Sequence, residues 1–189
     1  MQIMPITRLQ ALELLKKYIR NEKMIAHSLA SEAVMRGLAR KLNQDEEKWA
    51  MAGLLHDLDA EVTNGEPTVH GTQTGVLLQE FALDPDILDA IRMHNECSSG
   101  KKRHTEFQHA LAAGETITGL IFATTYVYPD KKLTSVKSKS VVKRMKEKAF
   151  AASVSRETIL ECEKIGISLP DFATIAIETM LPVAEEIGL

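Results

Sequence analysis

The sequence has few of the residues that build β-sheets or disulfide scaffolds. Aromatic residues make up 5% of the 189 residues, and only two cysteines are present. Because β-rich folds favour aromatic and β-branched residues, this composition favours helices. Cys97 and Cys162 lie far apart and outside any paired motif, so we expect reduced thiols, although a disulfide between them stays open.

Long hydrophobic runs and a large excess of one charge are also missing. The longest apolar run, Gly119 to Tyr128, is too short to span a bilayer, so no membrane partner is expected. No basic region followed by an apolar core indicates a secretion signal, and we expect a cytoplasmic protein. The net charge of -3 gives no overall attraction to nucleic acid.

The sequence does contain a series of helical patterns, each with a start signal. Thr, Asn, Asp or Ser precedes apolar residues that recur at spacings of three and four, as in capped amphipathic helices. We find no convincing strand and therefore predict an all-α fold, in which 95–103 is a loop. The predicted helices cover about 8–20, 22–42, 46–57, 70–81, 85–94, 105–127, 155–166 and 172–187, the last bent at Pro182.

An adjacent histidine–aspartate pair, His56-Asp57, interrupts an apolar stretch that begins at Ala52. Burying charge without a partner is costly, and a divalent metal ion is the strongest partner for these two residue types. Neighbouring helical residues point about 100° apart, so a metal between them must take further ligands from other helices. The candidates for those ligands, each on a separate predicted helix, are His27, His70, His94 and Glu115.

Some of these residues also have a purely structural interpretation. His27 falls on the apolar face of its helix, where a histidine can simply donate to a carbonyl. Glu115 is the only acid between Glu106 and Asp130, and a lone carboxylate in so apolar a helix needs a cation. His104 and His109 show no link to chemistry, and we expect them on the surface.

The six candidate ligands are four imidazoles and two carboxylates, without a thiolate. This set suits a catalytic metal site better than a structural zinc site.

The order of these residues closely resembles the HD superfamily of metal-dependent phosphohydrolases. The family pattern is His, then His-Asp, then a distant Asp, and these places fall on His27, His56-Asp57 and Glu115. The similarity extends over 24–28, 52–59, 84–96 and 118–132. These segments resemble a small HDIG-type subgroup of the superfamily. It implies an HD-domain-like helical bundle with a metal site at its centre. We expect one HD domain over 1–189, with 131–189 as a C-terminal helical extension packed on it.

The resemblance also implies a ligand set for one or two divalent ions, of Fe, Mn, Co, Ni, Zn or Mg. His27, His56, Asp57 and Glu115 would hold the first ion. His70 and His94 are similar to the additional histidines of two-metal relatives, in which the aspartate of the pair bridges the ions. Two departures stand out: Glu115 replaces the family aspartate, and His94 is followed by Asn95 where some relatives have consecutive histidines.

A basic segment follows the longest predicted helix. From Lys131 to Lys148 the chain has eight Lys or Arg residues and one acid. One interpretation is a solvated helical face. The other is a cationic flap that attracts a phosphorylated substrate, with Lys131, Lys132, Lys143 and Arg144 as the binding residues. Nucleic acid is not indicated, because aromatic residues are not interleaved with these charges.

The leading hypothesis is a metal-dependent phosphohydrolase or phosphodiesterase that acts on a nucleotide or other small phosphoester through a metal-activated water. Asp57 and His56 are the expected catalytic residues, and no residue is assigned as the acid for the leaving group. The alternative from a different class is a catalytically weak or inactive nucleotide-binding or signalling module. A third hypothesis is an unrelated helical bundle with structural histidines. The substrate, the number of ions and the oligomeric state stay open.

Overall fold

Helices make up the regular secondary structure of residues 6–189, the part of the chain that the computed structural model describes, and no strand occurs there. This confirms the predicted all-α fold; residues 1–5 of the predicted domain lie outside the described part. The α-helices are α1 (Arg8–Tyr18), α2 (Glu22–Lys41), α3 (Glu46–Leu55), α4 (Thr72–Leu77), α5 (Pro85–His94), α6 (Glu96–Ser99), α7 (Glu106–Tyr126), α8 (Ser138–Met145), α9 (Arg156–Ile159) and α10 (Leu169–Met180). Short 3-10 helices cover Leu133–Ser135, Leu160–Ile165 and Leu181–Val183.

Side-chain caps start most of these helices at the predicted positions. Thr7 and Thr105 each form a capping box with a glutamine three residues later, and Asp45 accepts a hydrogen bond from the Lys48 backbone. Such caps satisfy backbone N–H groups that would otherwise lack partners. The same interaction places Asn21, Asp84, Ser155 and Ser168 at the starts of α2, α5, α9 and α10.

Several predicted boundaries were wrong, each for a local reason. The fourth helix begins at Thr72 instead of near His70, because Gly71 adopts a left-handed conformation with φ of 86°. A four-residue helix, α6, occupies part of the predicted loop after Asn95 caps it. The last helix starts earlier, at Leu169, and ends at Met180, where a 3-10 turn containing Pro182 replaces the predicted bend.

A single buried apolar cluster connects the first helix with the last. It includes Leu15 of α1, Met35 of α2, Leu54 of α3, Leu111 of α7 and Phe172 of α10. The longest helices, α2 and α7, pack on each other, and both contact α3. This core therefore sets the relative positions of α2, which carries His27, of α3, which His56-Asp57 directly follow, and of α7, which carries Glu115.

Gly53 allows α2 and α3 to approach each other closely. A Cβ atom at this position would lie 2.5 Å from the carbonyl oxygen of Ser31, so any side chain would push the helices apart. This contact lies one turn before His56 and one turn after His27. The close packing of the two helices thus brings the two histidines together.

A buried ion-pair network attaches the C-terminal part of the chain to the end of α5. Glu161 accepts two hydrogen bonds from Arg103, both of 2.8 Å, and one of 2.6 Å from His109. Arg103 also donates to the carbonyl oxygens of Met93 and His94. The predicted surface position of His109 was therefore wrong, because this side chain is half-buried against Glu161, whereas His104 is exposed as expected.

We predict that Glu161→Gln lowers the free energy of unfolding by about 3 kcal/mol at pH 7. The substitution removes the carboxylate that accepts two hydrogen bonds from the buried Arg103 guanidinium and leaves the more distant Glu96, at 3.8 Å, as its counter-charge. Burial opposes ionisation of Glu161, but Arg103 and His109 outweigh it and hold its pKa below the ordinary 4.5. The stabilisation is therefore fully present above pH 4.5 and is lost as the pH falls through the depressed pKa. Urea unfolding at several pH values measures this difference.

Glu163→Gln is the matched control, since Glu163 is an exposed carboxylate two residues away. We expect its effect on the free energy of unfolding to stay within about 0.5 kcal/mol. Equal losses in the two variants would contradict a specific role for the Arg103–Glu161 pair.

Candidate metal centre

The imidazole rings of His27, His56, His70 and His94 surround the carboxylate of Asp57. The Nε2 atoms of His27 and His56 are 3.1 Å apart, and those of His70 and His94 are 3.2 Å apart. One Asp57 oxygen lies 3.0 Å from His70 Nε2 and 3.4 Å from His56 Nε2, and the other lies 3.6 Å from His27 Nε2. Five of the six predicted ligands therefore converge on one centre.

These side chains come from separate elements of the fold. His27 lies on α2, His56 and Asp57 directly follow α3, His70 lies in the turn before α4, and His94 is the last residue of α5. They form two groups in which the potential ligand atoms all lie within 4.8 Å of one another. The first group is His27, His56 and Asp57, and the second is Asp57, His70 and His94, so Asp57 belongs to both.

An oxygen atom faces the Nδ1 atom of each histidine. His56 Nδ1 donates to the carbonyl oxygen of Gly53 at 2.8 Å, and His94 Nδ1 donates to that of Ile91. Thr118 donates its own hydroxyl proton to the Glu115 carbonyl, so its oxygen accepts from His27 Nδ1 at 2.8 Å. Such contacts fix the orientation of a metal-binding imidazole and leave Nε2 free for the ion.

The fourth ring, His70, is oriented by Asp59, a fully buried carboxylate that the sequence interpretation missed. Asp59 Oδ1 lies 2.7 Å from His70 Nδ1, while Oδ2 accepts hydrogen bonds from the backbone N–H groups of Gly71 and Thr74. Asp59 therefore fixes both the ring and the turn that carries it. The available signal was a second carboxylate two residues after Asp57, inside a stretch too apolar to leave it unpaired.

The electrostatics around Asp57 favour positive charge on His56 and His70, whereas burial and the neighbouring His56 lower the pKa of His27. Burial opposes ionisation of Asp57, but the surrounding histidines outweigh it and hold its pKa well below the ordinary range. Burial lowers the pKa of His70, but the carboxylates of Asp57 and Asp59 dominate and raise it to about 10. Asp57 also raises the pKa of His56 against the effect of burial. Protons or a metal ion can supply the positive charge that these carboxylates attract.

These residues fit a divalent metal ion. Four Nε2 atoms and the carboxylate of Asp57 converge, and each ring is held by an outer contact typical of a metal ligand. Nitrogen and oxygen donors without thiolate suit first-row divalent ions. The chemistry of the donors does not select one metal among them.

Glu115, the sixth predicted ligand, lies at the edge of the cluster. Its carboxylate is 3.7 Å from His27 Nε2 and accepts a hydrogen bond from the Thr116 hydroxyl, but it belongs to neither group of converging ligand atoms. The Glu115 side chain faces a cleft of about 370 Å³ that is also lined by His27 and His94. Its role as a ligand stays a prediction.

The four basic residues assigned to substrate binding do not line this cleft. Lys131, Lys132 and Lys143 are exposed, and Arg144 pairs with Glu147 and covers the ring of Phe150. Their binding of phosphate stays a prediction that the arrangement of this cleft does not support.

One protein family matches the part of the chain that contains these residues. The family model for the HD domain matches residues 24–147, more than half of the chain. The chain belongs to the HD-domain family. The matched segment contains His27, the His56-Asp57 pair, His70, His94 and Glu115, whereas α9 and α10 follow it.

No curated protein and no solved structure matches the chain. In residues 6–189, none of the helices is both long enough and apolar enough to cross a membrane.

We predict that Asp59→Asn weakens metal binding by the group of Asp57, His70 and His94 about 10–100-fold. The new amide oxygen can still accept from Gly71 and Thr74, but its NH2 group cannot accept a hydrogen bond from His70 Nδ1. His70 would then lose the orientation that directs Nε2 to the ion. Calorimetric titration of the metal-free protein with Co²⁺ or Mn²⁺, together with the metal content of dialysed protein, measures the loss.

Asp84→Asn provides the control, because Asp84 caps α5 through a backbone N–H and contacts no histidine of the centre. We expect it to bind metal like the unmodified protein. Unchanged binding in Asp59→Asn, in a protein that unfolds at the usual temperature, would exclude the orienting role.

Proposed function

We propose that this HD-domain protein is a metal-dependent phosphohydrolase that acts on a nucleotide or other small phosphoester. The observation that carries the proposal is the convergence of four imidazoles on the Asp57 carboxylate, next to an open cleft. Each imidazole is held by an oxygen atom that faces its Nδ1. HD-domain proteins are generally metal-dependent hydrolases, so family membership and geometry support the same chemistry.

Each residue of the centre has a distinct task in this proposal. His27, His56, Asp57 and Glu115 would hold a first ion, and Asp57, His70 and His94 a second. A bound divalent ion supplies positive charge for phosphate oxygens and lowers the pKa of a bound water. Thr118, Asp59 and the carbonyls of Gly53 and Ile91 keep the imidazoles in place, so that little reorganisation accompanies the reaction.

The position of the centre controls access for substrate and water. His56 is fully buried, while the side chains of His27 and Glu115 are 22% and 18% exposed and face the cleft. A phosphoester can therefore approach from the side of His27, Glu115 and His94.

The test begins with protein purified without chelators, whose metal content is measured before a screen of phosphomonoesters, dinucleoside polyphosphates and cyclic nucleotides. We predict that Asp57→Asn lowers kcat/KM on the order of a thousandfold, about 4 kcal/mol, because both ligand groups lose their shared carboxylate. Asp171→Asn on α10, an exposed helix-start carboxylate, should leave the rate unchanged.

A second candidate function, a nucleotide-binding module with little or no catalysis, is favoured by one observation. Glu115 lies outside both groups of potential ligand atoms, and binding of the first ion would be weaker without its carboxylate. The decisive measurements are made on folded, metal-loaded protein. Binding of a nucleotide without turnover of any phosphoester, whichever metal is supplied, would favour the binding module over the hydrolase. Turnover that disappears on chelation and returns with added metal would exclude it.

A further inference from the structure

The cleft beside the metal centre has an outer wall rich in hydroxyl groups. Four of its lining residues carry a hydroxyl: Thr116, Ser153, Ser155 and Thr158. Gly119 and Val154 supply its apolar part. A volume of about 370 Å³ is sufficient for one small organic group next to the reacting phosphate.

Most of this wall comes from a segment that follows the family-matched residues 24–147. The segment 153–158 is fixed in place by Arg156, whose guanidinium donates to the carbonyl oxygens of Phe150, Ala151 and Val154. It also packs closely on α7, since a Cβ at Gly119 would lie 3.3 Å from the Val154 side chain. The wall is therefore a formed part of the site.

The cleft has no cationic side chain among its lining residues in the described part of the chain. Arg156, the basic residue within the wall segment, points instead to the backbone carbonyls that it binds. The one charged side chain facing the cleft beyond the imidazoles is the carboxylate of Glu115. Any negative charge of the substrate must therefore be neutralised at the metal centre itself.

We propose that the substrate is a phosphomonoester whose non-reacting part is neutral and rich in hydroxyls, such as a sugar or nucleoside, without a further phosphate. This inference rests on the proposed phosphohydrolase function and specifies its substrate class. Thr116 donates its hydroxyl to Glu115, and Thr158 donates its hydroxyl to Ser155. The hydroxyls of Ser153 and Ser155 can therefore donate to a polyol, while the threonine oxygens can accept from it. The segment 153–158 is thus the part of the chain that determines specificity.

Electrostatics give the reason for excluding nucleoside polyphosphates. The second and third phosphates of a triphosphate would extend from the centre into a cleft that offers hydroxyls and a carboxylate. The negative charges of these phosphates and of the Glu115 carboxylate repel each other in a partly buried site, and hydroxyl donors compensate for this repulsion only in part. A monophosphate avoids this cost because its charge lies on the reacting group alone.

The first experiment compares the monophosphate, diphosphate and triphosphate of the same nucleosides, together with hexose phosphates, at equal free metal concentration. We expect kcat/KM for the monophosphate to exceed that for the triphosphate at least about tenfold. Comparable or higher values for the triphosphate would overturn the proposal. A selective fall in kcat/KM for the triphosphate in Lys143→Ala would overturn it as well, since the basic segment would then be binding the additional phosphates.

The second experiment places a cation in the wall. Ser153 and Ala152 are adjacent, and both are exposed, but only Ser153 lines the cleft. Ser153→Lys should therefore raise kcat/KM for the triphosphate relative to the monophosphate about fivefold, while Ala152→Lys, with the same change in net charge, should not. Equal effects of both variants, or no effect of Ser153→Lys in folded protein, would contradict the assigned wall.

Calorimetry separates failure of this inference from failure of the proposed function. Metal-saturated protein is titrated with a nucleoside monophosphate and with the corresponding triphosphate, each as its preformed metal complex. If no phosphoester is hydrolysed but the monophosphate binds more tightly, the cleft assignment holds and the hydrolase proposal fails. Tighter binding of the triphosphate overturns the cleft assignment whether or not turnover is seen.

Discussion

The attraction between the Asp57 carboxylate and the four imidazoles around it is the interaction on which the rest of the site depends. This carboxylate is shared by both groups of potential ligands, and the histidines around it hold its pKa well below the ordinary range despite burial. Each ring is in turn anchored through Nδ1 to an oxygen of its own helix, of α7 or of Asp59. Many separate contacts therefore enforce one geometry around one charge.

The helical framework was largely predictable, because its start signals are local. Asn21, Asp45, Asp84 and Thr105 each cap the next helix through their own side chains, and these contacts depend on a few neighbouring residues. The ends were less predictable. The start of α4 depends on the left-handed Gly71 and on the distant Asp59, and periodicity carries no information about either.

The convergence of side chains at the candidate centre was predictable for a different reason. His27 and the His56-Asp57 pair are ionisable groups on apolar stretches, and their order matches the HD family. The residues that orient them gave weaker signals. Thr118 is an ordinary helical threonine in the sequence, and only the packing of α2 on α7 shows that its hydroxyl faces His27. The burial of His109 likewise depends on Glu161, which lies 52 residues away in sequence.

Arg103 donates hydrogen bonds to the backbone oxygens of Met93 and His94, at the end of α5. Through its second set of bonds, to Glu161, it connects His94 with the segment 160–165. The same guanidinium is held by Glu161, beyond the residues that the HD family model matches. Thermodynamic linkage makes such a connection reciprocal. An ion that immobilised His94 through this connection would also favour the docked position of 160–165, and loosening that segment would weaken retention of the ion by the same free energy.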